Sequence, residues 1–128
     1  MPKLTHALII DDDAFNLEVL ARLLDGAKIA HTAIQDPSQL DAAIAQTAQF
    51  DIVFLDLEMP HMDGYQAFSF LRNRLGTSIP VVACTVHVNE APNARELGFH
   101  SFISKPLDPS RFSEQLARIA NGEQVWDY

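Results

Sequence analysis

The sequence predicts a single-domain α/β fold, a parallel sheet held between two layers of helices, and three observations predict it. At 128 residues the chain has room for one core and not for two. Five short apolar runs alternate with five stretches of helical periodicity, and alternating elements of this length form a parallel sheet joined by right-handed crossovers. The apolar runs are continuous, as in Ile52-Val53-Phe54-Leu55, which suits strands covered on both faces.

In chain order, the expected strands are residues 7–10, 29–34, 52–55, 81–84 and 102–104. The first helix starts around Asp13, carries Leu17, Leu20 and Leu24 on one face, and stops near Gly26, with an acidic residue at its start and glycine at its end. The second follows Asp36-Pro37, a proline suited to the first turn, and runs to about Thr47 with Leu40 and Ile44 inward. The third begins at Asp63-Gly64, turns Phe68, Leu71 and Leu75 inward and Tyr65 and Phe70 toward other faces, and ends at Gly76. The fourth, residues 89–97, is short and holds Pro92, which a helix accepts only in its first turn. The fifth follows Asp108-Pro109, with Phe112, Leu116 and Ile119 at i, i+4 and i+7, and ends before Gly122. This gives a domain over residues 1–122. Residues 123–128 form a short tail whose Trp126 and Tyr128 either pack back on the domain or meet a partner.

Charge and composition exclude several functions. A net charge of −8 disfavours direct nucleic-acid binding, which needs a basic face to neutralise phosphates, and points to protein partners. No apolar run is long enough to insert in a membrane, and Met1 to His6 lacks the apolar region of a signal peptide, so a cytoplasmic place is expected. Cys84, the single cysteine, lies in the run Val81-Val82-Ala83-Cys84 and reads as a small buried hydrophobe. His6, His31, His61 and His100 show no metal-ligand spacing and read as surface residues. Neither of the glycine-rich nucleotide-binding motifs is present.

The chemistry collects at the strand ends. The first strand ends in Asp11-Asp12-Asp13, the third in Asp56, the fourth in Thr85 and the fifth in Lys105-Pro106. In a parallel sheet all of these share one edge, where ligands of open α/β folds bind. Singly, the three acids suit a capped helix start, Thr85 a strand-end hydroxyl and Lys105 a surface charge; their conjunction points to a site. Carboxylates so close raise one another's pKa unless a cation compensates, and Mg²⁺ prefers such oxygen ligands, commonly beside a phosphate. A phosphoryl group carried on a carboxylate would need that metal, an ammonium and a hydroxyl around its oxygens.

Ile9-Ile10-Asp11-Asp12-Asp13, the block from Phe54 through Asp56, Glu58, Met59 and Pro60 to Asp63-Gly64, the Thr85 strand end and Ser104-Lys105-Pro106 together resemble the receiver domain of two-component response regulators. The resemblance covers about residues 5–121. It implies a flavodoxin-like (βα)5 sandwich with five parallel strands in the order 2-1-3-4-5. It makes Asp56 the phosphoacceptor for a sensor histidine kinase or phosphotransfer protein. It gives Mg²⁺ to Asp11, Asp12, Asp56 and the backbone carbonyl of Glu58. Thr85 would hydrogen-bond the phosphoryl group, Lys105 would pair with it, and the Lys105-Pro106 peptide would be cis. Thr85 and Phe102 would form the switch that reshapes the face of helix 4, strand 5 and helix 5 for a downstream protein. It further implies a stand-alone switch, not an enzyme with a separate substrate, and a monomer or a dimer formed on phosphorylation.

Two departures stand against the family pattern. Val86 replaces a small residue after Thr85 and is expected to narrow the entrance to Asp56. Lys105 follows Thr85 at an interval of only 20 residues, about two fewer than the resemblance leads one to expect, so helix 4 should be truncated or displaced. Glu58 and His87, each two residues beyond Asp56 and Thr85, flank the expected phosphoryl position and either tune its lifetime or serve as solvated surface. Two rival readings are a docking module insensitive to phosphate, and a phosphatase of the haloacid dehalogenase type. The latter family looks for D-x-D after the first strand and places its metal acids late, whereas here that order is reversed and Glu58 stands two residues after Asp56.

Overall fold

The computed structural model describes residues 4–46, 49–59, 63–76 and 78–128. Six strands form one parallel sheet: β1 (His6–Ile10), β2 (Ala30–Ile34), β3 (Ile52–Leu55), β4 (Val81–Thr85), β5 (Ser101–Ser104) and β6 (Trp126–Asp127). Their order is β2-β1-β3-β4-β5-β6. The expected order stands, extended by a sixth strand that the sequence reading left in the tail. A two-residue strand carries no periodicity of its own, so only its pairing with β5 reveals it.

Alternate residues of the inner strands β1, β3, β4 and β5 feed two cores, which is why their apolar runs are unbroken, whereas β2 at the edge buries only Ile34. Ala7, Ile9, Ile52, Phe54, Val82 and Ile103 meet α1 (Ala14–Gly26) and α5 (Pro109–Ala120) through Leu17, Leu20, Leu24, Phe112, Leu116 and Ile119. Leu8, Ile10, Val53, Leu55, Ala83 and Phe102 meet α2 (Leu40–Gln46), α3 (Gly64–Leu75) and α4 (Ala91–Leu97) on the other side. Each such fully buried aliphatic or aromatic side chain contributes roughly 1.5–3 kcal/mol.

Acidic caps set the helix starts. Asp13 accepts from the amides of Phe15 and Asn16, Asp63 from Tyr65 and Asp108 from Ser110. Helix α4 has 7 residues, follows a 3₁₀ turn over Val88–Glu90 and carries Pro92 in its first turn, as its short sequence interval requires. The second helical stretch opens with a 3₁₀ turn, Pro37–Gln39.

Some expectations need correction. Leu75 packs on the α3-side core as expected, but Tyr65 and Phe70, also partly buried, pack against it too, with the Tyr65 ring 6.2 Å from that of Phe99 in the loop after α4. His6, His31 and His100 are half-buried, not surface residues; His6 packs on Phe50 and His100 bonds Ser101. Cys84 is buried, and burial pushes its thiol up to about 12. Pro60, His61 and Met62 of the central motif, and the Thr47 end expected for the second helix, lie outside the described residues. Among the described residues no helix is long and apolar enough to cross a membrane.

Candidate functional site

Sheet register places the acids. Ile10 pairs with Leu55, so Asp11 and Asp56 leave their strands at the same level, tied by the Asp56 amide donating to the Ile10 carbonyl at 3.0 Å. Thr85 pairs with Ser104, and the Lys105 amide donates to the Thr85 carbonyl at 2.9 Å, which brings the lysine to the same edge. The Lys105-Pro106 peptide is cis.

The expected residues converge. Carboxylate oxygens of Asp11, Asp12 and Asp56 lie within 4.8 Å of one another. Asp13 stands apart from this cluster, its carboxylate committed to capping α1. The Lys105 ammonium hydrogen-bonds the Asp11 carboxylate and lies 3.5 Å from Asp56 Oδ2, with both carboxylates and the lysine side chain at most 10% exposed. The Glu58 amide donates to Asp56 Oδ1 at 3.1 Å and the Asp13 amide to Asp11 Oδ1 at 3.0 Å. Thr85 is buried, and its hydroxyl accepts from the His87 amide at 3.2 Å. These groups line a cavity of about 190 Å³ together with Val86 and Asn16. Asn16 escaped the sequence reading; its signal is its position three residues after the capping Asp13, on the helix turn that faces the sheet edge.

The electrostatics suit a cation. Burial above all, and then the neighbouring Asp11, push Asp56 up to about 6 against the pull of Lys105. Burial and the charge of Asp11 also raise Asp12. Burial works against the Lys105 ammonium, but its bond to Asp11 and the charge of Asp56 outweigh that and hold it above the usual lysine value. The three converging carboxylates offer oxygen ligands, the kind that Mg²⁺ takes.

The raised Asp56 has a consequence for stability. Its pKa is 3.8 in an ordinary setting and about 6 here, so the folded chain holds the proton more tightly than the unfolded one. The stability this contributes is present below pH 4 and is lost as pH rises through about 6. Asp56→Asn, which keeps the group neutral, is therefore expected to stabilise the metal-free protein by about 3 kcal/mol at pH 8. Urea unfolding in a chelator checks this, and the gain should vanish near pH 4.

Two residues singled out beside the site also meet. His87 Nε2 lies 3.9 Å from Glu58 Oε1, joining the loops after β3 and β4 across the cavity. Val86 stands at the rim and is 61% exposed, as is Phe15 (71%) in the first turn of α1. Phe102, the expected switch residue, is fully buried, its ring stacked 6.4 Å from Trp126 and met edge-on by Tyr128 at 5.5 Å.

Comparison with known proteins agrees with this geometry. The family model for the response regulator receiver domain matches residues 7–117. The sensor histidine kinase GacS of Pseudomonas protegens is 34% identical over 122 residues, 89% of this chain and 12% of that one. A protein-glutamate methylesterase/protein-glutamine glutaminase of Treponema pallidum is 37% identical over 107 residues, 78% of this chain and 26% of that one. The chain thus spans about a quarter or less of the length of these relatives. Among solved structures, the chemotaxis protein CheY4 of Vibrio cholerae superposes with a TM-score of 0.80 at 22% identity, over 91% of this chain and 99% of that one. A receiver domain protein from Methanospirillum hungatei superposes with a TM-score of 0.81 at 19% identity, over 94% and 96%. Both show the same fold.

Proposed function

The chain belongs to the response regulator receiver domain family of two-component systems, and from that premise we propose that it is a phosphoacceptor switch in which Asp56 is phosphorylated by a sensor histidine kinase or phosphotransfer protein. The observation that carries this reading is the Lys105 ammonium set between the Asp11 and Asp56 carboxylates, with Asp12 beside them at the same sheet edge. An ammonium so placed can pass from pairing with Asp56 to pairing with a phosphoryl group on it.

In this reading a carboxylate oxygen of Asp56 forms the new P–O bond while the P–N bond of the donor's phosphohistidine breaks and its imidazole takes up a proton. With its pKa near 6, Asp56 is mostly ionised at neutral pH and so available as the nucleophile. Lys105 steadies the charge on the transferred oxygens and the Thr85 hydroxyl donates to one of them. Asp11, Asp12, Asp56 and the Glu58 carbonyl would hold Mg²⁺, which when bound neutralises phosphoryl charge. Glu58 and His87, paired over the cavity, govern the approach of water and with it the lifetime of the acyl phosphate. Phe15 and Val86 supply an apolar rim on which a protein donor can seat. The change of state is read by contact with a downstream protein, by a monomer or by a dimer formed on phosphorylation.

Intact mass after incubation with Mg²⁺ and acetyl phosphate tests this. One phosphoryl group should be added to the wild type and none to Asp56→Asn. An unmodified wild type, or an adduct that persists in Asp56→Asn, refutes the assignment.

A further inference from the structure

The edge of β5 is filled by the chain's own C-terminus. The Val125 amide donates to Ser101 Oγ at 2.9 Å, the Val125 carbonyl accepts from the Phe102 amide at 2.7 Å, and β6 follows in register, Trp126 beside Phe102 and Asp127 beside Ile103. Side chains then alternate between the two faces, as in an added strand. Val125 is fully buried in the α5-side core. Trp126 turns to the opposite face, stacked on Phe102 and covered by the Arg95 guanidinium of α4 at 4.3 Å. Asp127 returns to the α5 side, where it accepts from Gln115 Nε2 at 2.8 Å and pairs with Arg111 at 3.3 Å. The edge therefore offers a main-chain donor, an apolar seat, an aromatic seat and a cationic seat in succession.

This filling is suited to exchange. Strand β6 has only two residues, so few ladder bonds have to open to release it. The surroundings also favour an acidic occupant. Arg95, Arg111 and Arg118 all lie along this edge, three of only nine Lys and Arg residues in a chain of net charge −8.

We propose that the β5 edge is a strand-addition site, capped in cis by residues 125–127 and open in trans to an extended segment of a partner protein that carries the same succession of branched aliphatic, aromatic and acidic residues. Strand addition draws its affinity from main-chain bonds and its specificity from alternate side-chain seats, both present here. The tail acts as a competitor at the millimolar effective concentration of a short tether, so a partner segment must outlast it or arrive when it is loosened. The proposal goes beyond the phosphoacceptor reading and does not depend on it.

A fluorescein-labelled peptide of residues 122–128, titrated into the full chain and followed by anisotropy, tests this. Trp126→Ala unseats the cis tail yet leaves Val125 in the core, and that chain is expected to bind the peptide about tenfold more tightly than wild type. Asp127→Asn loosens the tail without touching its aromatic packing and should bind about threefold more tightly, which keeps the test readable if Trp126→Ala fails to fold. Replacing the peptide's tryptophan by alanine should abolish binding, and adding Arg95→Ala to the Trp126→Ala chain should weaken it several-fold. Equal affinity across wild type and both variants, or indifference to the peptide's tryptophan, overturns the proposal. So does a concentration-dependent dimer of wild type that Trp126→Ala abolishes, since the trans occupant would then be a second copy of the tail.

Discussion

Lys105→Met is expected to lower both stability and reactivity more than any other substitution in the site. The Lys105 side chain is 10% exposed, touches the Asp11 carboxylate and lies 3.5 Å from Asp56. Without it two buried carboxylates face each other with no counter-charge. Breaking such a buried pair from one side costs about 3 kcal/mol, readable as a lower urea midpoint at pH 8 in the absence of metal. The deficit should narrow toward pH 4, because Asp56 then takes up a proton and one of the opposed charges disappears. The same loss lifts Asp56 above about 6, since Lys105 is the main influence holding it down. Less of the carboxylate is ionised at pH 7 and the transferred oxygens lose their ammonium partner. Modification by acetyl phosphate should slow by about 100-fold. Lys105→Arg restores charge with a different shape, so it should recover stability before rate. A Lys105→Met protein with the wild-type midpoint and the wild-type rate would refute the role given to this residue.

Gly64→Ala is expected to be the most damaging change outside the acid cluster. A Cβ at Gly64 would lie 2.5 Å from Leu57 Cα, 2.9 Å from the Leu57 carbonyl oxygen and 3.0 Å from that of Asp56. All three atoms are backbone, so no side-chain rotation relieves the clash. Either α3 moves off or the loop leaving β3 is displaced, at a cost of about 3 kcal/mol. Because that loop carries the Glu58 amide that bonds Asp56 Oδ1 at 3.1 Å, reactivity should fall along with stability. Thermal unfolding and the rate of modification by acetyl phosphate, measured on the same sample, check both effects. A helix-start role alone predicts the opposite sign, since alanine is a better helix former than glycine by about 1 kcal/mol.

That contrast marks how far the sequence could be read. Asp63-Gly64 was legible as the start of a helix, because capping is a matter of neighbouring residues. The demand for glycine was not, because it comes from the backbone of Leu57, seven positions away, which reaches Gly64 only once α3 docks. The continuous strands were legible for the converse reason. A strand covered on both faces has to be apolar at every position, and Ile52-Val53-Phe54-Leu55 states that burial directly. The acids were legible as strand-end residues, and the resemblance to a family supplied the strand order that turns several strand ends into one site. Asn16 was overlooked because a lone polar residue on a first helical turn looks like solvent-facing surface until the sheet edge is placed beside it.

The tail shows the same division. Trp126 and Tyr128 left two outcomes open, packing back or meeting a partner, since a short segment binds whatever edge is in reach. Tertiary structure decided for packing back, and it did so through β5. That strand offers its edge on the side away from β4, the ring of Phe102 and flanking arginines from two helices, none of which is local to the tail in sequence.

By itself the sequence determined five strands and five helices, their alternation, the two-sided burial of the inner strands and the family to which the strand-end acids, threonine and lysine point. Those features rest on interactions within a few residues of the chain, where side-chain type and spacing carry the information. Tertiary structure alone decided that Asp11, Asp12 and Asp56 crowd within 4.8 Å while Asp13 turns away to cap a helix, that Lys105 sits between two of them, and that Phe102 is already covered by the tail. Each depends on register between strands or contact between elements distant in the chain, and both arise from the packing of the whole core.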